Sequence, residues 1–292
     1  MVTLEQVNAV IGKAMPSMTY TYTTRDVCLY ALGVGAPSDW LDQDELKFVY
    51  ELSTVGFVAL PTFPVVYTSE MIHQLISGRI GEIEFNPMML VHGEQYLEIH
   101  KTIPTSGTIT CQPVISAIYD KGSGMLVVTD VTCLDETGEC VAMQQSSMFI
   151  RGLGGFGGER GTSEKSNLPP ERKPDAVHEE KTLDRQALIY RLSGDINPLH
   201  ADPNMAAVGN FDRPILHGLA TYGFATRAVM KHFCDNDPSK VFAVRARFSK
   251  HVFPGETLIT EMWQEDNTVI FQTKTKERDE IVLNYAGVTL KT

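Results

Sequence analysis

Between Leu219 and Phe233 the chain has almost no polar face, since Leu219, Ala220, Tyr222, Phe224, Ala225, Val229 and Met230 fall on every side of a 3.6-residue repeat. That spacing predicts a helix enclosed by protein on all sides. The period then changes. Phe242, Val244, Ala246 and Phe248 alternate with Arg245, Arg247 and Ser249, and strand-like runs continue over 257–263, 269–275 and 281–290. This two-residue repeat belongs to a sheet with one buried face. Comparable runs occupy 96–99, 108–119, 125–134 and 141–150 in the first half. An antiparallel sheet curled around one apolar helix satisfies both patterns, because the sheet buries one face and the helix all of its sides.

From Arg151 to Lys181 the character changes to Gly152, Gly154, Gly155, Gly157, Gly158 and Gly161, then Pro169, Pro170 and Pro174 among charges, which reads as a linker. A phosphate-cradling loop would need a Gly-Lys-Ser/Thr ending and a strand-to-helix setting, and this run, which holds Phe156, has neither. The flanking halves resemble each other. Arg25 to Leu32 parallels Arg185 to Leu192 at helical spacing, and Pro64 to Tyr67 parallels Pro214 to His217, each opening a helix. Ile103-Pro104 with Gly107-Thr108 parallels Phe253 to Thr257, each at a turn before a strand. Three matches in one order predict a duplicated fold. The expected class is α+β, a double hot-dog of two antiparallel sheets each wrapped around a central helix. The expected division is a first repeat over 1–150, a linker over 151–181 and a second repeat over 182–292.

Composition narrows the function classes. The chain of 292 residues is long enough for two cores, and no run approaches the ~18 apolar residues needed to span a bilayer. A net charge of −11 argues against nucleic acid as a partner, since phosphate affinity rests on Lys and Arg displacing counterions. Five cysteines without a CxxC pair indicate neither a disulfide framework nor zinc, and fit a reducing, intracellular compartment. Met1 to Met18 lacks the basic-then-apolar order of a signal peptide, and Leu290-Lys291-Thr292 is not a peroxisomal Ser-Lys-Leu type tripeptide.

Polar groups concentrate in Tyr190-Arg191-Leu192-Ser193-Gly194-Asp195-Ile196-Asn197-Pro198-Leu199-His200. Ser193-Gly194-Asp195 ends a helical pattern and Asn197-Pro198 forces a turn, so Asp195 and His200 can meet across it. A carboxylate and an imidazole would then face one small molecule. The alternative is that Asp195 and Asn197 only cap the turn and His200 makes a structural hydrogen bond. A metal centre needs more ligands than Asp195, His200 and His217 supply. Where the second half has this segment, the first has Gly33-Val34-Gly35-Ala36-Pro37-Ser38-Asp39-Trp40, with no such pair, so only the second half is expected to catalyse. The longer span from Tyr30 to Pro64 leaves room for a looser loop or groove.

Tyr190 to Pro203, continuing through Phe211 to Gly218, resembles the hydratase 2 motif of MaoC-like enzymes. The resemblance extends over nearly all the chain to the enoyl-CoA hydratase 2 portion of peroxisomal multifunctional enzyme type 2, through Leu90 to Tyr96, Asp120 to Gly124, Gly154 to Gly158 and Glu261 to Trp263. It implies (R)-specific hydration of a trans-2-enoyl-CoA in fatty acid β-oxidation, with no cofactor beyond the CoA that is part of the substrate, a peroxisomal setting and a homodimer. It implies Asp195 and His200 as the catalytic pair, Asn197 as the holder of their geometry and the Gly218 N–H as the oxyanion donor. It further implies acyl-CoA contacts at His92, Gly93, Lys121, Ile196, Pro198, Leu199 and Phe248, and a first half widened for the acyl tail. The chemistry suits these residue types. Water attacks the β-carbon only as charge moves to the thioester oxygen, and an unpaired N–H at a helix start stabilises that oxygen. A free His titrates near ~6.5 and a free Asp near ~3.9, so Asp195 must be raised, or recharged through the water, to return a proton. A carrier-protein dehydratase, a hot-dog thioesterase and a non-catalytic acyl-CoA module are the competing readings.

Overall fold

The computed structural model describes residues 2–71, 77–162 and 166–291. Its first half holds helices α1 (Leu4–Asn8), α2 (Thr24–Gly33) and α3 (Gln43–Leu46), with strands β1 (Met18–Tyr22), β4 (Leu90–Ile99), β5 (Gly107–Asp120), β6 (Gly124–Leu134) and β7 (Cys140–Arg151). A two-stranded ribbon, β2 (Arg79–Ile80) and β3 (Ile83–Glu84), precedes β4. The second half holds α4 (Gln186–Tyr190), α5 (Pro203–Val208) and α6 (Gly218–Phe233), with β8 (Ala176–Lys181), β9 (Val241–Phe248), β10 (Thr257–Glu265), β11 (Thr268–Thr275) and β12 (Ile281–Leu290).

The strands of both halves form one sheet, in the order β1-β5-β6-β7-β4-β9-β12-β11-β10-β8. Where two sheets were expected, β4 and β9 pair antiparallel from Glu94↔Arg247 to Glu98↔Ala243 and fuse them. Across that seam the order is palindromic, each half contributing an edge strand, a three-stranded meander and the strand at the seam, which is how the sequence repeat is expressed in space. The seam carries an ion pair, with Arg247 Nη2 2.7 Å from Glu94 Oε1.

Helix α6 is buried as its pattern predicted. Leu219, Ala220, Tyr222, Phe224, Ala225, Val229 and Met230 lie inside the main core with Val244, Met262, Phe271 and Val288 of the surrounding strands. Each large side chain so enclosed contributes about 1.5–3 kcal/mol. In the first half, the 3-10 helix Phe63–Thr68 is fully buried and residues 69–71 continue as helix. The remainder of the helix expected after Pro64 lies outside the described residues. In the second half the helix begins at Gly218, four residues beyond Pro214, whose neighbourhood forms a bridge instead, Leu216 to Val252.

Two further expectations change. Residues 176–181, read as the end of the linker, form β8, whose register on β10 runs from Thr257↔Lys181 to Met262↔Ala176. This strand is polar on its outer face and lies at the sheet edge, so its charges hid it. The glycine run is held in place as well: Gly155 and Gly157 N–H donate to the Asp120 carboxylate at 2.9 Å each. Gly154 lies so close to the β5–β6 turn that a Cβ would sit 2.2 Å from the Gly122 carbonyl oxygen. The long span after Tyr30 is anchored to the buried helix at Glu45. Glu45 on α3 is 2% exposed and accepts from Arg227 Nη2 at 3.1 Å and Lys231 Nζ at 2.7 Å, both on α6. Arg227 also donates to Glu180 at 3.0 Å and to the Val34 carbonyl at 2.9 Å.

Candidate active site

The chain enters the site by ending a helix. Gly194 caps the short 3-10 turn Arg191–Ser193 at φ +128°, in the left-handed region where only glycine is unstrained. A Cβ there would lie 2.7 Å from Ser69 of the first half. Two Asx turns follow. The Asn197 N–H donates to Asp195 Oδ1 at 3.1 Å, and the Leu199 N–H to Asn197 Oδ1 at 3.1 Å, which starts the 3-10 turn Pro198–His200. Capping and site-building are therefore one arrangement here: the hydrogen bonds that shape the turn also turn Asp195 and His200 to the same side.

His200 is 9% exposed, and its Nδ1–H donates to the Ile215 carbonyl at 2.9 Å. That bond fixes the tautomer and leaves Nε2 as a free lone pair. Burial pushes its pKa below 6.5, against the opposing pull of the Asp195 charge and the Ile215 carbonyl. The ring of His217 stacks on it with centroids 3.7 Å apart at 27°. The His217 Nε2–H donates to the backbone carbonyl of Asp195 at 3.1 Å. Burial, then the neighbouring His200, holds the His217 pKa well below the ordinary value.

One ligand-type atom from each of Asp195, His200 and His217 lies within 4.8 Å of the others. Imidazole binds zinc along its in-plane lone pair at ~2.0–2.1 Å, and stacked rings run those lone pairs side by side instead of toward one point. The three groups do come together, but their geometry suits a hydrogen-bonded network better than a metal. Sequence reasoning weighed His217 only as a third ligand. Its contacts with both members of the pair depend on α6 starting directly after it.

Gly218 opens α6, and among the described residues no acceptor takes its N–H, the first intrahelical donor being Ala220. The helix dipole adds positive potential at that point. Phe248 lies over it, 3.1 Å from where a Gly218 Cβ would be, and also packs on His92 with ring centroids 4.8 Å apart. His92 is aimed by a bulge: His92 pairs with Met148 and Glu94 with Ser147, so Gly93 is the extra residue on β4. The His92 Nε2–H donates to the Glu94 carbonyl at 3.1 Å. Burial holds its pKa down to about 4, although that carbonyl and Asp195 pull upward. A narrow cleft bounded by Thr68, Met71, His92, Ser146, Met148 and Leu219 adjoins this point.

The structure thus brings Asp195, Asn197, His200, His217 and Gly218 together, with His92, Gly93 and Phe248 facing them from the seam. Ile196 is 52% exposed, Pro198 is exposed and Leu199 half-buried on the same turn. Lys121 is not part of the cluster. It sits in the β5–β6 turn with its ammonium 5.3 Å from the Tyr119 ring centroid. The turn does lie at the same end of the sheet as His92: Gly124 pairs with Arg151, three residues, or about 10 Å, beyond the Met148 partner of His92.

Comparison with known proteins adds to this geometry. The family model of the MFE-2 hydratase 2 N-terminal domain matches residues 20–152, and that of the MaoC like domain matches residues 165–286. A probable enoyl-CoA hydratase 2 of Dictyostelium discoideum is 46% identical over 288 residues, covering 97% of this chain and 96% of that protein. Peroxisomal multifunctional enzyme type 2 of Mus musculus is 46% identical over 286 residues, which are 96% of this chain but 38% of that longer protein. The peroxisomal enoyl-CoA hydratase 2 of Arabidopsis thaliana is 41% identical over 94% of this chain and 92% of its own. Among solved structures, a MaoC-like dehydratase from Phytophthora capsici superposes with a TM-score of 0.89 at 37% identity, over 100% of this chain and 98% of that one.

Proposed function

We propose, for a chain that belongs to the enoyl-CoA hydratase 2 family of MaoC-like proteins, that it catalyses the reversible hydration of trans-2-enoyl-CoA to (3R)-3-hydroxyacyl-CoA. The observation that carries this reading is His200, whose Nδ1–H is taken by the Ile215 carbonyl so that Nε2 keeps its lone pair, with a ring nitrogen within 4.8 Å of an Asp195 carboxylate oxygen, near the start of a helix whose Gly218 N–H meets no acceptor among the described residues. His200 takes a proton from water as the oxygen bonds to the β-carbon. Electrons move through the α-carbon to the thioester oxygen, where the Gly218 N–H and the helix dipole meet the charge. Asp195, which enters this step carrying its carboxyl proton and is hydrogen-bonded to the same water, delivers that proton to the α-carbon on the same face. The step leaves His200 protonated and Asp195 ionised, and a single bridging water spans the distance over which the proton returns.

Asn197 holds the turn, and His92, Gly93 and Phe248 border the thioester from the seam. Ile196, Pro198 and Leu199 flank it on the exposed side, where a CoA arm leaves the protein. Lys121, farther out at that end of the sheet, meets a phosphate as a point charge. The acyl tail points toward the narrow cleft bounded by Thr68, Met71 and Leu219. A peroxisomal setting and a homodimer belong to the same reading, supported by the names of the mouse and Arabidopsis relatives for the first and by family resemblance for the second. No helix among the described residues is long and apolar enough to cross a membrane.

The test is incubation with trans-2-enoyl-CoA of several chain lengths. Loss of enoyl absorbance without release of thiol, and a (3R) product on chiral analysis, is the expected result. Asp195→Asn and His200→Gln should each lower kcat by about 10²–10⁴-fold while retaining the fold. Release of free CoA instead of water addition would reassign the site as a thioesterase.

A further inference from the structure

His217 touches everything the reaction uses. One face of its ring stacks on the proposed base, His200. The Nε2–H holds the backbone of the proposed acid, Asp195. Tyr190 of α4 packs on the ring at 4.8 Å, and the residue itself forms the cap from which the Gly218 N–H projects. It is 1% exposed, and its Nδ1 is buried with no partner among the described residues. A buried imidazole nitrogen without a partner costs stability, and a phenyl or leucyl side chain would fill the space without that cost. The stacking and the carbonyl bond are what distinguish histidine here.

We propose that His217 is a positioning residue, which sets the separation and relative orientation of His200 and Asp195 through one stacked face and one hydrogen bond. This rests on the hydratase reading of the same site. Two separable effects follow. The hydrogen bond fixes the main chain from which the Asp195 carboxylate springs, and a misplacement of about 1 Å at a reacting group can cost ~10²-fold in rate. The stacked face keeps water off the His200 ring and so preserves the burial that keeps His200 neutral. The charged and titratable groups bearing on the two rings are Asp195, Arg191 and Tyr190, with the rings acting on each other.

The experiment compares wild type with His217→Phe, which keeps the stack and loses the donor, and His217→Gln, which keeps a donor and loses the stack. Values of kcat and KM are measured on one trans-2-enoyl-CoA across pH, per mole of folded protein as judged by thermal melts. His217→Phe should lower kcat about 10–100-fold, with little change in KM and an unmoved acid limb. His217→Gln should recover part of that kcat, while its acid limb shifts upward toward the ordinary histidine range. Equal kcat in His217→Phe and wild type, an unmoved limb in His217→Gln, or losses that vanish once scaled to folded protein would each overturn the proposal. Wild-type protein that turns over no enoyl-CoA would instead remove the hydratase reading on which it stands.

Discussion

Replacing Glu45 by Gln tests how the first half is locked onto the buried helix. The Glu45 carboxyl is 3% exposed and receives Lys231 and Arg227 from α6 together with the Ser38 N–H and hydroxyl. Burial alone would raise its pKa, but Lys231, Arg227 and Ser38 hold it down to about 2, from an ordinary 4.5. At about 1.4 kcal/mol per pH unit, that difference is worth about 3 kcal/mol in favour of the charged, folded form. It agrees with the ~3–5 kcal/mol lost when one partner of a buried ion pair is removed. Glu45→Gln should therefore lower stability at pH 7 by about 3 kcal/mol, or roughly 6–12 °C in Tm. The sign of the pH dependence follows from a carboxyl whose folded value is depressed. Its contribution is complete above about 4.5 and disappears as pH falls from there toward about 2. Urea melts of both proteins at pH 7 and at pH 3 measure the gap, which should narrow at the lower pH. A gap under about 1 kcal/mol at pH 7, or one of equal size at both values, would refute the reasoning.

The acid limb of kcat should fall below the usual histidine range, because burial depresses the His200 pKa from 6.5 and a base works in its neutral form. A pH profile showing activity already lost at 6.5 would contradict this. Gly194→Ala should cost about 1–3 kcal/mol in chemical denaturation, since alanine at φ +128° would also press on Ser69. The same change should reduce kcat through the adjacent Asp195, and unchanged stability would show that the turn relaxes freely.

What the sequence disclosed and what it concealed divide along a physical line. Helix α6 and the meander strands were legible because their signals are local, a repeat of 3.6 or 2 residues read directly from the chain. Asp195 and His200 were legible because a helix stop, a turn and their side chains fall within a short segment. The β4–β9 seam was not, since register between strands about 150 residues apart leaves no local trace. Nor was β8, short and charged at the sheet edge, or the bulge at Gly93, which shows only against Met148 and Ser147 of the neighbouring strand. Arg227 is the most instructive omission. It sits in a helix that reads as apolar throughout, and its guanidinium is satisfied by Glu45, Glu180 and the Val34 carbonyl, groups from three distant segments.

The seam between β4 and β9 also changes what a single substitution can do. In a symmetric pair of identical subunits every replacement arises twice, once on each side of the two-fold axis, so a change that helps one side must be tolerated on the other. Joining the halves into one polypeptide lifts that restriction. The segment Gly33 to Trp40 can then lack the carboxylate and imidazole that the matching segment Ser193 to His200 keeps, and each half is free to acquire mutations that its twin never shares.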